Sequence, residues 1–147
     1  MPRIADTLSR SGSDWRPHDP PLSEDRIADA IRRIGTSLPA APLELYRVCN
    51  GGEGSLPHQP WTFVLWGIDE VAELREHEHH RKYYDPFVFF GGNGGGEYFG
   101  LDPAGRVFFM DPIAGEESII VVAPSFDEFA TNIGVAPPGG IPEINEA

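Results

Sequence analysis

An α+β fold, with a mainly antiparallel sheet of about five to six strands flanked by helices, follows from two patterns in this sequence. Between residues 61 and 123, short aromatic and β-branched runs recur with connectors too short for helical crossovers, as in an antiparallel meander. Before and after them, apolar residues fall at helical spacing, in two stretches near the N-terminus and one near the C-terminus. One core suffices, because a chain of 147 residues with 40% apolar content buries about two-thirds of its unfolded surface.

Residues 1–22 combine Ser, Arg and Asp with several prolines and no sustained period, which predicts an arm, either loose or docked through Trp15. Ser23 caps a helix whose Ile27, Ile31 and Ile34 share a face, with Glu24 and Asp25 at its positive dipole end and Gly35 as its stop. A second helix starts near Pro42, where the missing N–H has no intrahelical partner, and buries Leu43, Tyr46 and Cys49 before Asn50-Gly51-Gly52 ends it. Residues 61–66 alternate Trp61, Phe63 and Leu65 with Thr62, Val64 and Trp66, a strand covered on both faces. Ile68, Val71 and Leu74 predict one helix from residue 68 to about residue 80, lying over the sheet.

Four further strands are expected over residues 87–90, 97–101, 106–110 and 118–123. Ser125 and Glu128 form a capping box for a final helix that carries Phe126, Phe129 and Ile133 on one face and closes at Gly134. Residues 135–147, with three prolines and two glycines, read as a tail. The expected organisation is therefore an arm over 1–22, an α+β domain over 23–134 and a tail over 135–147.

The formal net charge is −12 and unevenly placed. Residues 1–43 carry equal numbers of acids and bases, so the whole excess lies beyond them. Such a field repels nucleic-acid phosphates and anionic lipid and favours basic protein partners. No apolar run approaches the about 20 residues of a membrane span, and the N-terminal residues lack the apolar stretch of a signal peptide, so a cytoplasmic protein is expected. Cys49 is the only cysteine, which rules out an intrachain disulfide.

The chemistry-bearing motifs are sparse. Gly91-Gly92-Asn93-Gly94-Gly95-Gly96 precedes a strand rather than a helix and has no following Lys, so it reads as a bend between strands and not as a phosphate loop. His77 and His80, in His77-Glu78-His79-His80, are the weak candidates for metal binding, but the order is not H-E-x-x-H and a solvated helix end explains it. No G-x-S-x-G elbow is present, so no catalytic residue and no cofactor are assigned.

Four motifs in order carry a family resemblance: Leu38-Pro39; Leu45-Tyr46 leading into Asn50-Gly51-Gly52-Glu53-Gly54; Phe89-Phe90-Gly91-Gly92-Asn93-Gly94-Gly95 followed by Glu97-Tyr98-Phe99-Gly100-Leu101-Asp102; and Ser125-Phe126-Asp127-Glu128-Phe129. Together they resemble the SUKH superfamily over residues 24–134. The resemblance implies a sheet flanked by helices and a place in a group that includes bacterial immunity proteins, which bind and neutralise toxins, and fungal regulatory proteins. It identifies Asn50, Gly51, Gly52, Gly91, Gly94 and Gly95 as structural turn residues.

The resulting expectation is a non-catalytic protein-binding domain, an immunity protein that neutralises a basic toxin. The alternatives are a housekeeping interaction module of the same fold and, behind it, a small metal-binding enzyme. Glu97, Asp102, Asp111, Glu116 and Glu117, in or beside strand connectors, are the expected partner-binding residues.

Overall fold

The computed structural model describes residues 4–35, 38, 40–84 and 86–139. Its sheet has seven strands in chain order: β1 Arg16–Pro17, β2 Gly52–Ser55, β3 Thr62–Leu65, β4 Val88–Gly92, β5 Tyr98–Leu101, β6 Val107–Met110 and β7 Ile120–Ala123. Each is antiparallel to the next. The five runs expected from composition are β3 to β7. The two additional strands, β1 and β2, consist of Arg-Pro and Gly-Glu-Gly-Ser and have no intrinsic strand preference. Pairing with β3 makes β2 a strand, and Pro17, which cannot donate to a ladder, is placed where proline is tolerated, on the edge.

The helices are α1 Ile4–Leu8, α2 Glu24–Ile34, α3 Ala40–Tyr46, α4 Ile68–Glu76, α5 Glu78–Tyr83 and α6 Phe126–Ala130. Ser23 Oγ accepts the Arg26 N–H at 3.3 Å at the start of α2, and Gly35, at φ 77°, ends it. Ser125 Oγ accepts the Glu128 N–H at 3.2 Å at the start of α6.

The single helix expected over 68–80 is two helices. His77 leaves the helical region at φ −64°, ψ 136°, and its Nδ1 accepts the His79 N–H at 3.3 Å, ending α4 and capping α5 with one residue. The break turns His80 inward, where its Nε2 lies 2.9 Å from the Phe87 carbonyl, and Arg75 Nη1 donates to the same oxygen at 3.0 Å.

Alternate strand residues point to opposite faces of the sheet. One face, with Phe63, Leu65, Phe90, Phe99 and Val107, packs with residues of α2, α3, α4 and α6 in the main core. Phe129 of α6 is fully buried there, with ring centroids 5.0 Å from Phe63 and 5.3 Å from Phe99. The other face carries Phe89, Tyr98, Phe108 and Met110 and packs with Tyr84, Phe87 and Leu74. Gly100 sits beneath that layer, and a Cβ on it would lie 2.6 Å from the Phe108 ring and 2.9 Å from Phe89.

The N-terminal segment is docked. Trp15 stacks on Phe63 at 6.4 Å and fits over Gly52, where any Cβ would strike its ring. Ser55 N–H donates to Asp14 Oδ1 at 2.8 Å, His18 N–H to the Gly51 carbonyl at 3.0 Å, and Asp14 N–H to the Gly134 carbonyl at 3.0 Å. Of the tail expected over 135–147, residues 140–147 lie outside the described residues, as does Pro39 of the first motif.

Candidate functional site

In a meander, every second connection falls at the same end of the sheet. The β4–β5 connection, with Glu97, and the β6–β7 connection, with Asp111, Glu116 and Glu117, therefore share one end. The β5–β6 turn, with Asp102, lies at the other. Asp102 is engaged in its own turn: its Oδ1 accepts the Ala104 and Arg106 N–H groups at 3.0 and 2.9 Å, and its Oδ2 pairs with Arg106 Nε at 2.7 Å. Asp111 Oδ1 accepts the Ile113 N–H at 2.8 Å, so this carboxylate also shapes a turn. Glu116 and Glu117 are exposed on a short 3-10 turn, Gly115–Ser118.

Over the sheet face that carries Phe89 and Tyr98, a groove of about 490 Å³ opens between α5 and the β6–β7 connection, one of the connections that bear these acids. Phe89 and Tyr98, with ring centroids 5.2 Å apart, supply sheet residues to its lining; Leu74 and His79 line it from the helices, and Pro112 and Ile113 from the connection. Burial of the sheet rings explains the floor, while the connection is held by polar ties. Tyr84 Oη donates to the Pro112 carbonyl at 2.9 Å, Asp111 N–H donates to Ser118 Oγ at 2.9 Å, and Ser118 Oγ donates to the Gly115 carbonyl at 2.7 Å. The result fixes Ile113 in place with 96% of its surface exposed. A second, shallower recess lined by Trp66, Glu70 and Glu73 shares Leu74 and His77 with this groove.

The turn residues expected from the sequence act in different ways. Gly51 at φ 96° and Gly94 at φ 81° occupy left-handed backbone that L-residues resist. Gly52 and Gly91 are instead sites of close approach, where a Cβ would strike Trp15 and the Val64 carbonyl respectively. Asn50 joins two elements through its side chain, accepting the Ile68 N–H at 2.9 Å and donating to Asp69 at 3.1 Å at the start of α4. In the glycine bend, Asn93 Oδ1 accepts the N–H groups of Gly95 and Glu97 at 2.9 and 3.3 Å. Those donors are taken up inside the loop, which is consistent with a bend rather than an anion cradle.

Among the described residues, no group of three or more His, Cys, Asp or Glu side chains is placed to hold a metal ion. His77 caps a helix and His80 faces the Phe87 carbonyl, so the break in the helix separates the roles of the two candidates. Burial pushes the Cys49 thiol up to about 11, which keeps it protonated near neutrality and weak as a nucleophile. Burial also raises Tyr46 well above the usual phenol range, with its hydroxyl donating to the Trp66 carbonyl at 2.8 Å.

The sequence reading found the acids of the β6–β7 connection but missed the groove that this connection walls. One signal was available: Ile113 is a branched apolar residue set among Asp111, Pro112, Glu116 and Glu117, where a turn favours polar side chains. What the arrangement offers chemically is a largely apolar depression edged by histidine and tyrosine rings, with carboxylates in the connection that walls one side, which is the make-up of a binding surface.

Among the described residues no helix is long and apolar enough to cross a membrane. No curated protein matches the chain. A family model, described as SMI1 / KNR4 family (SUKH-1), matches residues 21–132, a span running from just before α2 to just beyond α6. With a match over most of its length and the α+β architecture that the motifs imply, the chain belongs to the SMI1 / KNR4 family, SUKH-1, of the SUKH superfamily.

Proposed function

We propose that this protein is an immunity-type binding module that neutralises a basic toxin domain by covering part of its surface. One observation carries the reading: the β6–β7 connection that bears Asp111, Glu116 and Glu117 also supplies Pro112 and Ile113 to the wall of the apolar groove. An apolar centre within a charged rim is the usual anatomy of a specific interface. Family membership and the acidic excess of the chain agree with it. Glu116 and Glu117, exposed and outside any ion pair found among the described residues, are the acids best placed to steer a basic partner. Asp102, bound into its turn at the far end, is outside this surface.

The test is to express the chain with the toxin encoded beside it in its host and to follow survival and binding kinetics over a salt series. Survival of the host is expected, with association slowing as salt rises past the point where the Debye length falls to about 8 Å. An acidic partner, or an association rate indifferent to salt, would refute electrostatic capture.

A further inference from the structure

We infer that the groove seats an aromatic or branched apolar side chain of the partner, carried between lysines or arginines on a segment that runs from α4 towards the β6–β7 connection. This rests on the toxin-binding reading and specifies what the toxin must present.

The apolar part follows from the walls. Leu74, Phe89, Tyr98 and Ile113, together with Tyr84, Pro112 and three histidine rings, line a space of about 490 Å³, large enough for a bulky side chain. Ile113 is the most telling of them, because 96% of its surface meets solvent although its backbone is fixed through Asp111 and the neighbouring carbonyl through Tyr84. A rigidly presented apolar side chain gains from being covered and loses little freedom when it is, which is the behaviour of an interface centre.

The cationic flanks follow from what adjoins the groove at each end. On the α4 side, the recess shared through Leu74 and His77 combines the Trp66 ring with Glu70 and Glu73, a surface that suits a guanidinium or ammonium group lying on an indole. On the other side, Glu116 and Glu117 follow Ile113 in the same connection. The outer part of α5 carries the opposite charge, with Arg81 and with Lys82 placed over the Tyr83 ring at 5.2 Å. A basic segment is therefore disfavoured over Arg81 and Lys82 and favoured where Glu70, Glu73, Glu116 and Glu117 adjoin the groove, which sets the line it follows.

The experiment uses the full chain and short fluorescent peptides with phenylalanine, or serine in its place, between pairs of lysines. The phenylalanine peptide is expected to bind about tenfold more tightly than its serine twin. Ile113→Ser, at a solvent-exposed position where folding is unaffected, should weaken the phenylalanine peptide about fivefold while leaving the serine peptide unchanged. Glu73→Gln should weaken both. Equal binding of the two peptides, or indifference of the phenylalanine peptide to both Ile113→Ser and Leu74→Ser, overturns the inference. Neutralisation of the host toxin separates the two levels. If the wild type protects and Ile113→Ser protects equally well, the groove is not the anchor site and toxin binding stands. If the wild type gives no protection while the peptides discriminate as expected, toxin binding falls and the preference of the groove remains.

Discussion

The two faces of the sheet are made from alternate residues of the same strands, and they end in opposite conditions. Phe63, Phe90 and Phe99 point to a face closed by α6, by the helices of the main core and by Trp15 of the N-terminal segment. Phe89 and Tyr98, each next in line to one of the others, point with Phe108 to a face roofed by Leu74 of α4, by α5 with its flanking residues and by one connection, and left open at the groove. Aromatic content does not separate the two faces. The covering does: one is sealed by apolar helices, the other by polar ties to a loop. A sealed layer contributes stability, and an open one leaves apolar surface for a partner.

Substitutions on the two faces should separate these roles. Phe129→Ala removes the ring that touches Phe63, Phe90 and Phe99 and should cost about 3 to 5 kcal/mol in denaturant unfolding. Tyr98→Ser, on the half-open face, should cost about 1 to 2 kcal/mol. Similar values for the two would mean that both faces bear equally on stability. Ser125→Ala tests whether the lid of the sealed face depends on its cap; the loss of the bond to Glu128 N–H should cost about 0.5 to 2 kcal/mol. A cost above that of Phe129→Ala would show that the register of α6 is not the one described.

The smallest effect concerns Cys49 in the sealed core. Its thiol titrates at about 11 rather than at the ordinary 9.0, because burial favours the neutral form. The unfolded chain loses this proton first as pH rises, so the contribution is complete below about pH 9 and declines towards pH 11. Cys49→Ala should therefore flatten the fall of stability over that interval. An unchanged slope would place the thiol in a more solvated setting than the sealed face provides.

Much of this was legible in the sequence where local chemistry and tertiary demand coincide. Ser23 and Ser125 cap helices as their positions predict, and the five aromatic runs become β3 to β7. What escaped was fixed by distant partners. Gly52-Glu53-Gly54-Ser55 becomes a strand because β3 offers it a ladder and because Gly52 alone leaves room for Trp15. The break at His77 was hidden because residues 75–82 contain no apolar residue to mark a period and no Gly or Pro to interrupt one, and the extended backbone of His77 with its capping bond to His79 reveals two helices. At the binding surface, charge was readable as composition, but the groove depends on Tyr84, some 28 residues away from the Pro112 carbonyl it holds, a relation that no spacing rule encodes.

The sealed face also has a schedule. Asp14 is tied to Gly134, and Arg10 donates to the carbonyls of Thr131 and Ile133, across more than 100 residues of chain. These contacts join an early-made part of the fold to a late one, so the ties between the N-terminal segment and α6 cannot form until residue 134 has left the ribosome. Until then Phe63 and Phe99 lack the ring of Phe129, and the nascent chain carries an uncovered aromatic layer until α6 is made. Closure is therefore a late, long-range event, and the speed of that final step decides how long a newly made molecule remains vulnerable to chaperones, proteases and its own neighbours.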